Sequence, residues 1–334
     1  MSRLILTADD YGLNSGVNEG TLIAVRKKTV TSVQVLVNMA TREEIIELAS
    51  AIHESGDLCG IGLHFCTTVG PSILQKQTSF TEKIGDEYHF RRLQNWVYHP
   101  SADRDMEEEL TAQFNKLKAI IGGSRIDSFS SHQNVHLFDK DYCSMVARLA
   151  QPDKIPVRSP LRWDQADGLA HFPEKGSDPI KLAALKTLAG CLHNPSTAFL
   201  LKQGISEKKM ERRQRILNDA AGVTPNTMCG HWYGQPLKKG IEWLADELEH
   251  IRLNGSDHAT ELLMHLSSSN DGDTDKENYK MFERRKEFIV LNTVDVMNYI
   301  HSLYEKSNFK LGSYRKVLRG EHVSYNPDDL PPAE

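Results

Sequence analysis

Cysteine is scarce in this chain and nowhere clustered. Five occur among 334 residues, Cys59, Cys66, Cys143, Cys191 and Cys229, with no CxxC and no even count. That argues against a disulfide framework and against a cysteine-built zinc site, and points to a reducing, cytosolic (cytoplasmic) compartment. No apolar run reaches 18 residues, so no membrane-spanning helix is expected. The first residues lack a basic segment followed by a long apolar stretch, so no secretory leader is expected. No sign of charge dominates: the net charge is −5 and the isoelectric point about 6.3. A general nucleic-acid or anionic-membrane surface is therefore disfavoured. No internal repeat is visible. What remains is 39% hydrophobic and 25% charged residues, a globular composition with ample core, long enough for one large α/β domain or two ordinary ones.

Short β-rich runs alternate with amphipathic stretches. Strands are expected at 3–8, 31–38, 59–65, 125–130, 155–159 and 260–266, with weaker ones near 226–231 and 288–291. Several are near-continuous apolar runs, as in strands buried on both faces of a parallel sheet. Thr41 and Glu44 form a capping box before a helix that Gly56 stops. Asp103 is placed to cap a helix closed by Gly122–Gly123, and 240–252 and 294–306 read as further helices. This pattern predicts an α/β fold with a distorted or incomplete (β/α) barrel and loop insertions at the C-terminal face of the strands. We read 1–334 as a single barrel domain. Two segments break the rhythm: 66–100, and an insertion at about 161–226 with helical stretches near 180–190 and 206–221. The acidic stretch NDGDTDKEN (270–278) lacks EF-hand spacing and reads as a solvated loop.

Three expected strand ends carry metal-ligand residue types. Asp9 and Asp10 close the first strand in LILTADDYG, His64 ends the third in GIGLHF, and His132 and His136 follow the fourth in SSHQNVHLF. The C-terminal edge of such strands is where α/β sites assemble. One carboxylate and two imidazoles suit a divalent cation with an open position for water. A second carboxylate beside it can accept a proton from that water. Successive strand residues point to opposite faces, so both Asp side chains serve one pocket only if the chain bends, and Tyr11–Gly12 permits a bend. Taken singly, each of these residues has an ordinary structural explanation as a cap or a hydrogen-bonded core group; it is their shared position at strand ends that points to a site.

The opening LILTADDYGLNSGVNEGTLIAVRKKTVTSVQVLVNM resembles that of the YdjC-like carbohydrate deacetylases, a family that includes chitooligosaccharide deacetylases. GIGLHF, SSHQNVHLF, ELLMHL and KLGSYRKV match further family blocks in the same order. The resemblance covers most of 1–160 and 227–320. It implies a distorted (β/α) barrel, one divalent metal ion (magnesium or zinc), removal of an N-acetyl group from an amino sugar, and a homodimer. It implies Asp10, His64 and His132 as metal ligands, Asp9 as catalytic base, His265 as general acid and Arg158 as an arginine that orients Asp9. Two departures stand out. Where the family block reads Asp-Ser-His-x-His-x-His, Ser130 replaces the Asp and Asn134 the middle His, which weakens support around the metal histidines. Leu266 follows His265 where a Pro is usual.

Trp232 and Tyr233, in CGHWYGQP, offer aromatic faces for sugar binding or for ordinary packing. The expected partner is a small N-acetylated sugar, with neither nucleic acid nor membrane. The alternatives are another metal-dependent hydrolase of the same fold, acting on a phosphoester or a non-sugar amide, or a non-catalytic sugar-binding protein. Asp9 beside Asp10 weighs against the last, since a bare metal site needs one of them.

Overall fold

The computed structural model describes residues 1–91, 102–159, 207–222, 224–225, 227–229, 237–254, 259–269 and 281–332. Strand and helix alternate through them. β1 (Ser2–Tyr11) leads to α1 (Ser15–Arg26), and β2 (Ser32–Val35) leads to α2 (Arg42–Glu54). β3 (Gly60–Phe65) runs through a hairpin, β4 (Thr81–Ile84) and β5 (Glu87–Phe90), to α3 (Ala102–Ile121). β6 (Ile126–Ser131) precedes the short α4 (Val135–Phe138) and α5 (Lys140–Ala150). Then come α6 (Glu207–Ala221), β7 (Thr227–Cys229), α7 (Leu237–Asn254), β8 (Ala259–Met264), α8 (Met281–Leu291), α9 (Val294–Tyr304), β9 (Phe309–Leu311) and α10 (Tyr314–Arg319). The main sheet runs β6-β3-β2-β1-β8-β7, all parallel, and β9 pairs with the first residues of β1.

Local chemistry sets several boundaries. The capping box at Thr41 and Glu44 forms with both of its bonds, and Gly56 follows α2 at φ +88°. Asn14 caps α1 by accepting from the Val17 N–H. Gly122 follows α3 at φ +83°.

Four sequence expectations are corrected. Residues 288–291 are the end of α8, not a strand; a four-residue apolar run cannot by itself separate buried helix from strand. Residues 155–159 make a single parallel bridge, Phe129 to Val157, because Pro156 has no N–H to extend the ladder. Asp103 lies inside the first turn of α3, which begins at Ala102. The irregular stretch after β3 contains the β4–β5 hairpin. The insertion at 161–226 falls outside the described residues up to 206, and its helix at 206–221 is α6. The stretch 180–190, the acidic 270–278, Cys191, Trp232 and Tyr233 also lie outside the described residues.

The sheet must curl. Phe129 on β6 bonds the 156–158 segment on its outer side, accepting from the Arg158 N–H and donating to Pro156 O. In sheet order Arg158 is thus four strands from β1 and five from β8. At ~4.8 Å per strand a flat sheet would hold it about 19 Å from β1 and about 24 Å from β8. Yet its side chain bonds Asp9 on β1 and Glu261 on β8 directly. Only a trough-shaped, incompletely closed barrel brings these strands within one side chain's reach.

The two faces of the trough differ in chemistry. Leu4, Leu6, Ala8, Val33, Val35, Ile61, Leu63, Phe129, Leu262 and Met264 join the main hydrophobic core. Alternating with them, Gln34, His64, Ser128, Ser130 and Glu261 are buried and hydrogen-bonded. Gly62 makes room for this polar face: a Cβ there would meet the Gln34 amide at 2.4 Å and Ser128 Oγ at 2.5 Å. At the other end of the strands Asp127 is wholly buried and accepts from the N–H groups of Tyr314 and Arg315, each at 3.0 Å. Tyr325 accepts from the Ile61 N–H and donates to Arg125 O, both at 2.8 Å.

The pairing of β1 with β2 slips after Ala8. Ala8 faces Val33 and Tyr11 faces Val35, so three steps on β1 match two on β2. This bulge holds Asp9 and Asp10, and Asp10 adopts φ +70°. The bend expected after the pair therefore lies at Asp10 itself, and it turns two consecutive carboxylates towards one pocket. A left-handed conformation costs a non-glycine residue of order 1–3 kcal/mol. Asp10→Gly should accordingly unfold at higher denaturant than Asp10→Ala, by about 1 kcal/mol, with chelator present. Equal midpoints would show that Asp10 is not strained.

Candidate active site

The site is built from the ends of β1, β3, β6 and β8 and from the 156–158 segment. Asp9, Asp10, His64 and His132 are all at most 5% exposed. Arg158 holds Asp9 in a fork, with Nη1 donating to Oδ2 at 2.9 Å and Nη2 to Oδ1 at 2.7 Å. The same guanidinium donates to Glu261, Nε to Oε1 and Oε2 at 3.1 Å and Nη2 to Oε1 at 2.9 Å. Burial alone would push Asp9 up; Arg158, then His64, outweigh it and hold its carboxyl below the usual range. His136 braces the arginine from behind: its Nε2 lies 3.4 Å from Arg158 O, and its Nδ1 lies 2.5 Å from Ser131 Oγ.

Asp10 has a different environment. Oδ2 accepts from Arg284 Nη2 on α8 at 2.6 Å. Oδ1 is buried and makes no hydrogen bond of good geometry, but faces His64 Nε2 at 3.2 Å and His132 Nε2 at 3.9 Å. Against burial, Arg284 and then His132 hold the Asp10 carboxyl well below the ordinary value. The far nitrogens of the imidazoles are engaged: His64 Nδ1 lies 2.6 Å from Ser130 Oγ, and His132 Nδ1 lies 2.6 Å from Thr68 Oγ1. Burial pushes His132 down to about 4, His265 to about 4 and His136 to about 3. All three are neutral imidazoles at neutral pH.

The donor set fits a cation. Two imidazole Nε2 atoms turn towards one carboxylate oxygen that lacks a donor. Two atoms sharing one ion at about 2.1 Å lie roughly 3.0–3.4 Å apart, which His64 and Asp10 already satisfy and His132 nearly does. Among the described residues no three His, Cys, Asp or Glu side chains stand at the spacing of a metal site, and His132 is the more distant of the two imidazoles from Asp10. Charge points the same way. Three buried carboxylates, Asp9, Asp10 and Glu261, meet two guanidiniums, Arg158 and Arg284, and a fourth buried acid, Glu287, bonds the His265 N–H, so acids outnumber guanidiniums around these strand ends.

Comparison with known proteins agrees with this architecture. Residues 3–302 match the YdjC-like protein family. The chain belongs to that family. Among curated relatives, a carbohydrate deacetylase of Brevibacillus brevis is 33% identical over 158 residues, covering 47% of this chain and 59% of that protein. Another of Oceanobacillus iheyensis is 29% identical over 173 residues, 52% of this chain and 68% of that one. A chitooligosaccharide deacetylase of Yersinia enterocolitica is 28% identical, covering 50% and 62%. The chain thus spans about three fifths of the length of the curated relatives it matches. A solved structure from Enterococcus faecalis, described as a cellobiose-phosphate cleavage protein, aligns with TM-score 0.64 at 17% identity over 95% of this chain and 99% of its own. It shows the shared fold, a parallel sheet curled into a half-barrel.

The structure gathers Asp9, Asp10, His64, His132 and Arg158 at one place, and His265 follows β8 beside them, its backbone N–H bonded to Glu287 Oε2 at 2.6 Å. Sequence reasoning missed Glu261, Arg284, Gln34 and Thr68. Glu261 carried a readable signal: a lone carboxylate inside the apolar run TELLMHL needs a buried partner. Arg284 carried none, because MFERRKEF offers three adjacent cations with nothing to single one out.

Replacing Arg158 by Met would leave Asp9 and Glu261 as buried, unpaired carboxylates. A loss of about 3–5 kcal/mol is expected, read by denaturant unfolding; a loss under 1 kcal/mol would show that the fork carries little. The neutral histidines give a pH dependence. Their folded values lie below the ordinary 6.5, so the unfolded chain binds protons first. Their contribution is complete above about pH 6.5 and is lost as pH falls towards 3–4, by up to about 1.4 kcal/mol per pH unit for each histidine. His136→Gln should make the decline between pH 6.5 and 4 shallower in chelator; an unaltered slope would remove His136 from it. Asp9 and Asp10 act lower, losing their contribution below about pH 4.

Proposed function

We propose that the protein is a metal-dependent deacetylase that hydrolyses the N-acetyl group of an amino sugar or chitooligosaccharide, giving acetate and a free amine. The observation that carries this reading is the division of labour between adjacent carboxylates: Asp9 clamped by an arginine, Asp10 facing two imidazoles. The names of the curated relatives support the substrate class.

Asp10, His64 and His132 would hold one divalent ion, magnesium or zinc. Such an ion would polarise the acetamide carbonyl and make a water more acidic. Asp9 accepts the proton of the attacking water. Its depressed pKa keeps it ionised at neutral pH and makes it a weak base, which suits a water already acidified. The Arg158 fork fixes the carboxylate plane and leaves its outer lone pairs to the water. Sharing that guanidinium with Glu261 divides its positive charge between two acids, so Asp9 is not silenced by a private ion pair. His265 stands near both acids and is neutral at rest, with its pKa pushed down to about 4 by burial. The proton it gives to the departing amine is therefore one gained during turnover, and the proton released by the water is the source at hand. Trp232 and Tyr233 are the aromatic faces we assign to the sugar ring.

Acetate release from N-acetylglucosamine oligomers, with magnesium or zinc added in turn, is the test. Acetate should appear, and hydrolysis of a phosphoester panel should not. Asp9→Asn should keep the metal and lose turnover by roughly 10²–10⁴-fold, whereas His64→Ala should lose the metal by elemental analysis. A fully active Asp9→Asn would remove Asp9 from the mechanism.

A further inference from the structure

We propose that Gln34, acting through Ser130, is a positioning residue that fixes the tautomer of His64 and so aims an imidazole lone pair at the cation site. The inference rests on the reading of His64 as a metal ligand. It concerns a residue that touches neither the ion nor the substrate.

The argument follows the protons. His64 Nδ1 and Ser130 Oγ are 2.6 Å apart, and the parallel register places the two residues side by side on β3 and β6. A hydroxyl has one proton. Ser130 gives it to Gln34 Oε1 at 2.6 Å, and a carbonyl oxygen can only accept. Ser130 Oγ is thereby left as an acceptor towards His64, so in the neutral imidazole, the form that binds a metal, the proton sits on Nδ1. Nε2 then carries the lone pair, and it faces Asp10 Oδ1. Two acceptors 3.2 Å apart require a positive centre between them.

The orientation of the Gln34 amide decides the direction of the whole relay, and in this structure its oxygen faces Ser130. Nε2 donates to Ser128 Oγ at 2.8 Å and to Ser32 Oγ at 3.1 Å, so both amide protons have acceptors. Every member, Ser32, Gln34, His64, Ser128 and Ser130, is at most 2% exposed, so water does not compete for these bonds. The amide lies against Gly62, where any Cβ would displace it. A metal-bound histidine is ordinarily oriented through its second nitrogen, and such partners matter 10–100-fold to metal affinity. A carboxylate does this alone because it only accepts. A serine does not, since its hydroxyl turns to donate as readily as to accept. The glutamine removes that freedom.

The test uses Gln34→Met and Ser130→Ala, each also read in metal-free protein. In the wild type, ¹⁵N NMR of the imidazoles in chelator should show His64 protonated at Nδ1. Both variants should shift it towards the Nε2-protonated form, which bonds Asp10 instead. Zinc affinity, measured by chelator competition, should fall roughly 10–100-fold. Adding Ser130→Asp to Gln34→Met supplies an acceptor-only group next to Nδ1 and should restore both the tautomer and most of the affinity, a recovery that repair of folding alone would not give. Wild-type His64 protonated at Nε2, or a folded Gln34→Met with unchanged tautomer and unchanged zinc affinity, overturns the proposal. If the wild type binds zinc but releases no acetate, the deacetylase reading fails while the relay is still decided by tautomer and affinity. If Gln34→Met does not fold, Ser130→Ala decides by the same two measurements.

Discussion

A single buried guanidinium sets the shape of this molecule. Arg158 lies beyond the β6 edge of the sheet, yet it grips acids on β1 and β8. Those bonds exist only if the sheet is rolled, and the rolling is what brings the strand ends together. The same contact therefore serves architecture and chemistry. It spans the trough, and it fixes the plane of the carboxylate we take as the base. A lysine could not replace it, because one point charge cannot bond two carboxylates in a fixed fork. His136 supports it by meeting its backbone carbonyl rather than its charge.

Around this strut the inner face of the sheet is polar. An apolar lining would pack more simply, but it could not orient imidazoles. His64, His132 and His136 each have one nitrogen engaged by a hydroxyl, Ser130, Thr68 or Ser131, so each ring is oriented rather than left to rotate. Thr68 is itself held in place from outside the site. Its loop is pinned by buried Glu109 and Gln113 of α3, which bond Ser72 Oγ, the Ile73 and Leu74 N–H groups, and Cys66. The geometry of two small rings thus depends in part on a helix that supplies no side chain to the cation site.

Much of this was readable one residue at a time, and the remainder was not. Parallel strands announce themselves by continuous apolar runs, and the capping box of α2 depends on residues three apart. Asp9, Asp10, His64 and His132 were legible because each is a chemically distinctive residue at the end of such a run. The relay of Ser32, Gln34, Ser128 and Ser130 was illegible: each is an unremarkable polar residue in its own strand, and their meaning comes only from register between β2, β3 and β6. Ser130 read as a lost carboxylate, and the structure shows what stands in for it. Arg284 was hidden by equal neighbours on an amphipathic helix. Its helix was in part misread as a strand because Ile289 to Leu291 form too short a run to show a period.

The floor of the trough has a consequence for how the chain is made. Asp127 sits in the fourth main strand, wholly enclosed, and its carboxylate is met by two backbone amides that lie 187 and 188 positions later. The Ile61 amide waits longer still, for a phenol 264 positions downstream. A ribosome delivers these partners long after the groups they meet. The first half of the protein therefore emerges with an acid and an amide whose intended neighbours do not yet exist, and water must occupy their places until the C-terminal segment arrives to expel it. The floor of the trough can be completed only after residues 314–325 have been made.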